Sequence, residues 1–231
     1  MSHGKSRKQR ITSDSNAVIS AVVFDAFGTL ACISRRTNPY RELIREGRRQ
    51  GIALTQKSAN IAMTTNMTLD DLASSLGISL TPFKREELHR RLELEISSIE
   101  PYPDAVEAIS LLKEAGIKTG VCSNLASPYG PNVREIFPLM DGYAFSYEVG
   151  ALKPDPAIYQ SICARIGVEP GHYFGDELGR VLMIGDSQRC DRDGPRVVGI
   201  SGFYLNRTSH GQIHDLIQFA RMVIESNSLR L

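Results

Sequence analysis

Ala21-Val22-Val23-Phe24-Asp25-Ala26-Phe27-Gly28-Thr29-Leu30 is the stretch that decides the fold. Ahead of Asp25 stand Val18, Ile19, Ala21, Val22, Val23 and Phe24, a near-continuous apolar run of the kind found in parallel strands covered on both faces. Such a strand delivers its carboxyl end to the crevice where open α/β sheets bind ligands. Gly28 lets the chain turn without a Cβ penalty, and the Thr29 hydroxyl is placed to hydrogen-bond the turn or the carboxylate. Asp25 is therefore expected at the mouth of a cleft. The plainer reading makes it a cap for whatever follows the strand.

Working outward, two more apolar strands end on polar residues. Ile117 to Cys122 leads into Ser123-Asn124, and Val181 to Ile184 leads into Gly185-Asp186-Ser187, with Asp191 close behind. Lys153-Pro154-Asp155-Pro156 opens a helix carrying Ile158, Tyr159, Ile162 and Ile166. Strands are also expected near Tyr143 to Ser146 and at Gly202 to Tyr204, with a terminal helix from His214 to Ile224. Strands alternating with helices predict an α/β fold with a doubly wound parallel sheet. From Ala31 to about Glu100 the period turns helical. Asn38-Pro39, Thr55, Thr68 with Asp71, and Thr81-Pro82 read as four helix starts, and Leu88, Leu92, Ile96 and Ile99 form one stripe.

Asp25, Asp186 and Asp191 lie at or just past the ends of two strands, so they can converge on one ion. Mg²⁺ prefers such oxygen ligands and is typically held by one or two carboxylates plus a substrate phosphate. Capping of the following helix is the alternative role for Asp186 and Asp191.

Phe24 to Leu30, Ser123-Asn124, Lys153-Pro154 and Gly185-Asp186-Ser187 with Asp191 resemble, in order, the four motifs of the haloacid dehalogenase (HAD) superfamily. The resemblance implies a Rossmann-like core in residues 17–31 and 101–231, with a helical type 1 cap in residues 32–100. It implies a hydrolase in which Asp25 is the covalent nucleophile and Lys153 supplies positive charge to nucleophile and substrate. Ser123 and the Asn124 amide would bind phosphoryl oxygens. Asp25, Asp186, Asp191 and the Phe27 carbonyl would hold Mg²⁺.

One position departs from the phosphatase pattern. Phosphatases of the superfamily usually carry a second Asp two residues after the nucleophile, as acid and then base; here Phe27 stands there. Loss of such a group ordinarily costs about 10²-fold to 10⁴-fold. Haloacid dehalogenases also carry an aromatic residue there, since halide leaves unprotonated, but they use no metal and usually have serine in place of Asp186. They rely on a cap arginine, for which Arg41, Arg45, Arg48 and Arg49 are candidates. Phosphonate cleavage would need a cap lysine, Lys57 or Lys84. Asp186 favours a Mg²⁺-dependent phosphatase acting on a small phosphorylated metabolite, because a second carboxylate beside Asp25 costs repulsion unless a cation neutralises the pair. A metal-independent 2-haloacid dehalogenase and a phosphate-binding protein without turnover are the alternatives.

Composition adds limits. The 231 residues carry 27 basic and 26 acidic side chains and are 42% hydrophobic, so no global field recommends nucleic acid or an anionic membrane as a partner. Residues 1–16 read as a disordered basic tail with Lys5, Arg7, Lys8 and Arg10. No run is long enough to span a bilayer, and no apolar leader stands at the start, so a cytoplasmic location is expected. Cys32, Cys122, Cys163 and Cys190 are widely spaced and read as reduced thiols. A small molecule is the expected partner, and a homodimer is left open.

Overall fold

A computed structural model describes residues 18–170, 180–208 and 212–229. The expected basic tail lies outside the described residues. Strand β1 (Ile19–Phe24) occupies the centre of a five-stranded, all-parallel sheet. Its neighbours are β4 (Lys118–Ser123) on one side and β6 (Arg180–Gly185) on the other, with β5 (Gly142–Phe145) and β7 (Ser201–Tyr204) at the edges. Successive side chains of a strand point to opposite faces. Val22 and Phe24 accordingly enter the core beneath the helices α5 (Pro103–Glu114) and α9 (Leu216–Ser228), whereas Ala21 and Val23 face α8 (Pro156–Ile166). Ile19 lies with the first set because the register with β6 shifts between Ile19 and Ala21. Both faces being covered explains the near-continuous apolar run in β1, interrupted only at Ser20.

Two short antiparallel strands, β2 (Ala31–Ile33) and β3 (Ile99–Pro101), leave and re-enter this sheet region. Between them lie α1 (Pro39–Arg49), α2 (Gln56–Thr64), α3 (Leu69–Ser75) and α4 (Pro82–Ile96). The four helices start where the sequence places them. Thr68 and Asp71 form the expected capping box, and the Thr81 hydroxyl accepts from the Lys84 amide. Asn38 stands at the start of α1 as expected, with no side-chain cap hydrogen bond and a left-handed backbone at φ 53. Leu43, Leu69, Leu72 and Leu88 form a separate apolar cluster. The expected stripe divides: Leu88 joins this cluster, Ile96 packs on the sheet's core, Leu92 touches both, and Ile99 lies beyond α4, in β3.

Two further α-helices are α6 (Gly130–Ile136) and the one-turn α7 (Ser146–Val149). Among the described residues no helix is long and apolar enough to cross a membrane.

Candidate active site

Because β1 and β6 are neighbours, their carboxyl ends put Asp25 and Asp186 side by side, and the helical turn Gln188–Asp193 returns Asp191 beneath them. One carboxylate oxygen from each of the three lies within 4.8 Å of the others. The turn after β1 is held by Leu30 and Ala31 amides donating to the Ala26 carbonyl. Gly28 sits there at φ +87, and a Cβ on it would stand 2.1 Å from Asp186 Oδ2. A Cβ on Gly185 would stand 2.3 Å from Asp191 Oδ2. Both glycines are therefore the cradle into which carboxylates fit, beyond any role in turning the chain.

Lys153 is buried, and its Nζ donates to Asp25 Oδ1 and to Asp191 Oδ1, each at 2.7 Å. Burial alone would push the ammonium's pKa down, but the charges of Asp25 and Asp191 outweigh it and hold it above the usual lysine value. The second oxygen of Asp191 accepts the Ser187 amide at 2.9 Å. Burial pushes the Asp191 carboxyl up to about 6, with Lys153 opposing and Asp25 adding to the rise. Desolvation and then the Asp25 charge raise Asp186, which among the described residues has no cation paired with it. Three carboxylates against one ammonium leave an excess of negative charge. The donor set is oxygen only, which suits a hard divalent cation. With both Asp191 oxygens engaged, Asp25 and Asp186 are the better direct ligands.

The Asn124 side chain has a role of its own beside that expected of its amide. It exchanges two hydrogen bonds with the backbone of Lys153, accepting at 2.7 Å and donating at 3.1 Å, so it positions the lysine. Ser123 is buried at the end of β4, next to β1. The Thr29 hydroxyl holds neither turn nor carboxylate: it is buried without a hydrogen-bond partner, while the Thr29 carbonyl accepts from Arg207. Tyr159 is a core residue whose hydroxyl donates to the Cys190 carbonyl at 2.6 Å. All four cysteines are free, and burial raises the Cys122 thiol to about 12.

A cavity of about 540 Å³ opens between the site and the inserted helices, with Phe27 and Asn124 on one side and Arg41, Arg45 and Arg48 of α1 on the other. Arg49, Lys57 and Lys84 do not line it. Lys84 is bound to Glu42 and Glu87, which removes the support for phosphonate cleavage.

Sequence reasoning missed Glu95 and Tyr129. Glu95 is buried, accepts the Thr37 and Asn38 amides at 2.7 and 2.6 Å, and takes the Tyr129 hydroxyl at 2.5 Å. The Tyr129 ring stands edge-on to Phe27 at 6.0 Å. No local signal marks Glu95, one acid among many charged residues of α4.

Comparison with known proteins agrees with this architecture. The profile of the haloacid dehalogenase-like hydrolases matches residues 19–199. The chain is 28% identical to (S)-2-haloacid dehalogenase 1 of Pseudomonas sp. (strain CBS-3), over 84% of this chain and 87% of the relative. It is equally 28% identical to phosphatase MT3486 of Mycobacterium tuberculosis, over 86% of this chain and 94% of the relative. Among solved structures, a HAD phosphatase from Thermococcus onnurineus superposes with a TM-score of 0.59 at 21% identity, covering 89% of this chain and 98% of that one. The L-2-haloacid dehalogenase from Xanthobacter autotrophicus gives 0.57 at 19%, with the same coverage.

Proposed function

The chain belongs to the haloacid dehalogenase-like hydrolases, and from that premise we propose that it is a Mg²⁺-dependent phosphatase acting on a small phosphorylated molecule. One observation carries the choice over dehalogenation. Asp186 brings a third carboxylate within 4.8 Å of Asp25 and Asp191 where Lys153 is the sole ammonium bound to them among the described residues. Without a cation, that acid only repels an incoming anion.

In this reading Asp25, Asp186 and the Phe27 carbonyl hold the metal, and Asp191 anchors the arrangement through Lys153 and Ser187. Bound Mg²⁺ supplies charge neutralisation for the approach of two anions. Asp25 attacks phosphorus, and its carboxylate oxygen forms the aspartyl-phosphate as the bond to the leaving oxygen breaks. Lys153 holds Asp25 in place and offsets charge that develops on the phosphoryl group, with Ser123 alongside. Asn124 keeps the lysine backbone in position. The inserted helices act as the cap that closes over the cavity. Phe27 transfers no proton, so the leaving group must depart as an anion or take its proton from water.

A dehalogenase reading rests on a separate observation: the cavity that Phe27 shares with Arg41 has largely apolar walls, which suits a short halocarboxylate. Assays with p-nitrophenyl phosphate and 2-chloropropionate, each with Mg²⁺ and with EDTA, separate the readings. Phosphate release abolished by EDTA supports the proposal. Chloride release unaffected by EDTA overturns it, as does metal binding without turnover on any phosphate ester.

A further inference from the structure

The four arginines of α1 fall into two classes. Glu42, buried in the bundle, pairs with Arg45, with Arg49 at 3.3 Å and with Lys84 at 3.0 Å; Glu46 takes Arg49 again at 3.1 Å. Arg41 and Arg48 are exposed, and among the described residues neither pairs with a carboxylate. Both nonetheless line the cavity, seven residues apart and so on one face of the helix, about 10 Å apart along its axis. Two uncompensated guanidinium groups thus line a cavity whose other side is formed by Phe27, two residues after Asp25, and by Asn124, next to Ser123.

Between the two sides the walls are largely apolar, with the rings of Phe27, Tyr40 and Tyr129 among aliphatic side chains. Tyr129 lies 6.0 Å from Phe27 and 6.3 Å from Tyr40, ring centre to ring centre, and Ile33, Ile44 and Leu125 are among the aliphatic side chains of the lining. Flat unsaturated groups fit such rings through offset or edge contacts. The chemistry at Phe27 points the same way. With no side-chain acid there, a leaving oxygen that is stable as an anion is favoured, and a phenolate is far better in that respect than an alkoxide.

Resting on the phosphatase reading above, we propose that the substrate is an aryl phosphate bearing a second anionic group, such as a carboxylate, which Arg41 and Arg48 bind. The Asp25 oxygen forms a bond to phosphorus, and the phosphorus–oxygen bond to the aryl group breaks. The electron pair leaves on the phenolate, which water protonates. Water then hydrolyses the aspartyl-phosphate, releasing inorganic phosphate and restoring Asp25.

The test uses two inert probes, phenylphosphonate and 4-carboxyphenylphosphonate, titrated calorimetrically with Mg²⁺ present into the wild type, Arg41→Gln, Arg48→Gln and Arg49→Gln. The expected result is that the wild type binds the carboxylated probe about tenfold or more tightly, as a charge-assisted pair warrants. Arg41→Gln or Arg48→Gln should cut that preference to about threefold or less, while Arg49→Gln, whose side chain is held by Glu42 and Glu46, should keep it. Equal binding of both probes by the wild type overturns the inference, as does a preference that survives both substitutions. Hydrolysis of p-nitrophenyl phosphate alongside such a result leaves the phosphatase reading intact. Failure to bind either probe, with no hydrolysis, removes both.

Discussion

Lys153 is the residue on which the site's electrostatics turn, because among the described residues it alone is bound to both Asp25 and Asp191. Lys153→Met leaves two buried carboxylates facing each other, and breaking a buried ion pair from one side costs about 3–5 kcal/mol. Urea unfolding of the metal-free variant should register that loss, and Mg²⁺ should restore more stability to it than to the wild type. Asp191 sets the pH response. Its carboxyl titrates at about 6 in the folded chain against ~3.9 unfolded. A raised carboxyl favours folding below the unfolded value, and that contribution is lost as pH rises through about 6. Protons and Mg²⁺ compete for the same charge, so the rise in melting temperature on adding Mg²⁺ should be largest at pH 7 to 8. It should shrink as pH falls through about 6, which differential scanning fluorimetry across that range would follow.

At the scale of elements, Glu95 binds three segments together: its own helix α4, the 37–38 linker that enters α1, and Tyr129 on the sheet side. Glu95→Ala strips the acceptor from two amides and a phenol and should cost about 3 kcal/mol in chemical denaturation, since each orphaned donor costs about 1–3 kcal/mol when buried. Glu95→Gln keeps one acceptor oxygen for the amides and can donate its amide N–H to Tyr129, so its loss should be about 1 kcal/mol. The helices around this clamp were legible in advance because their starts are local. Thr68 with Asp71, Thr81-Pro82 and Asn38-Pro39 each signal within four residues. The β2–β3 pair was not legible, since three-residue strands lack a periodic signal and their partners lie far apart in the chain. Nor was the division of the α4 stripe, because periodicity reports that Leu88, Leu92 and Ile96 share a face without saying that two different cores receive it.

Across the whole molecule, the order β5-β4-β1-β6-β7 is what turns four separated motifs into one site. The motifs themselves could be read in the chain, and Asp25, Asp186, Asp191 and Lys153 do converge. What each partner does could not be read. The Asn124 side chain holds the Lys153 backbone, a role its sequence did not announce; Thr29 looked like a support for the carboxylate and has an unpartnered hydroxyl. Such roles depend on contacts between residues far apart in sequence, for which spacing carries no signal. The same limit left the four arginines of α1 equivalent until Glu42 was placed among them.

The most direct measurement is calorimetric titration of Mg²⁺ into the wild type and Asp186→Asn at pH 7.5. The account predicts one site per chain in the wild type, weakened about tenfold or more when the Asp186 charge is removed. Absence of Mg²⁺ binding to the wild type, or equal binding to both proteins, would contradict it.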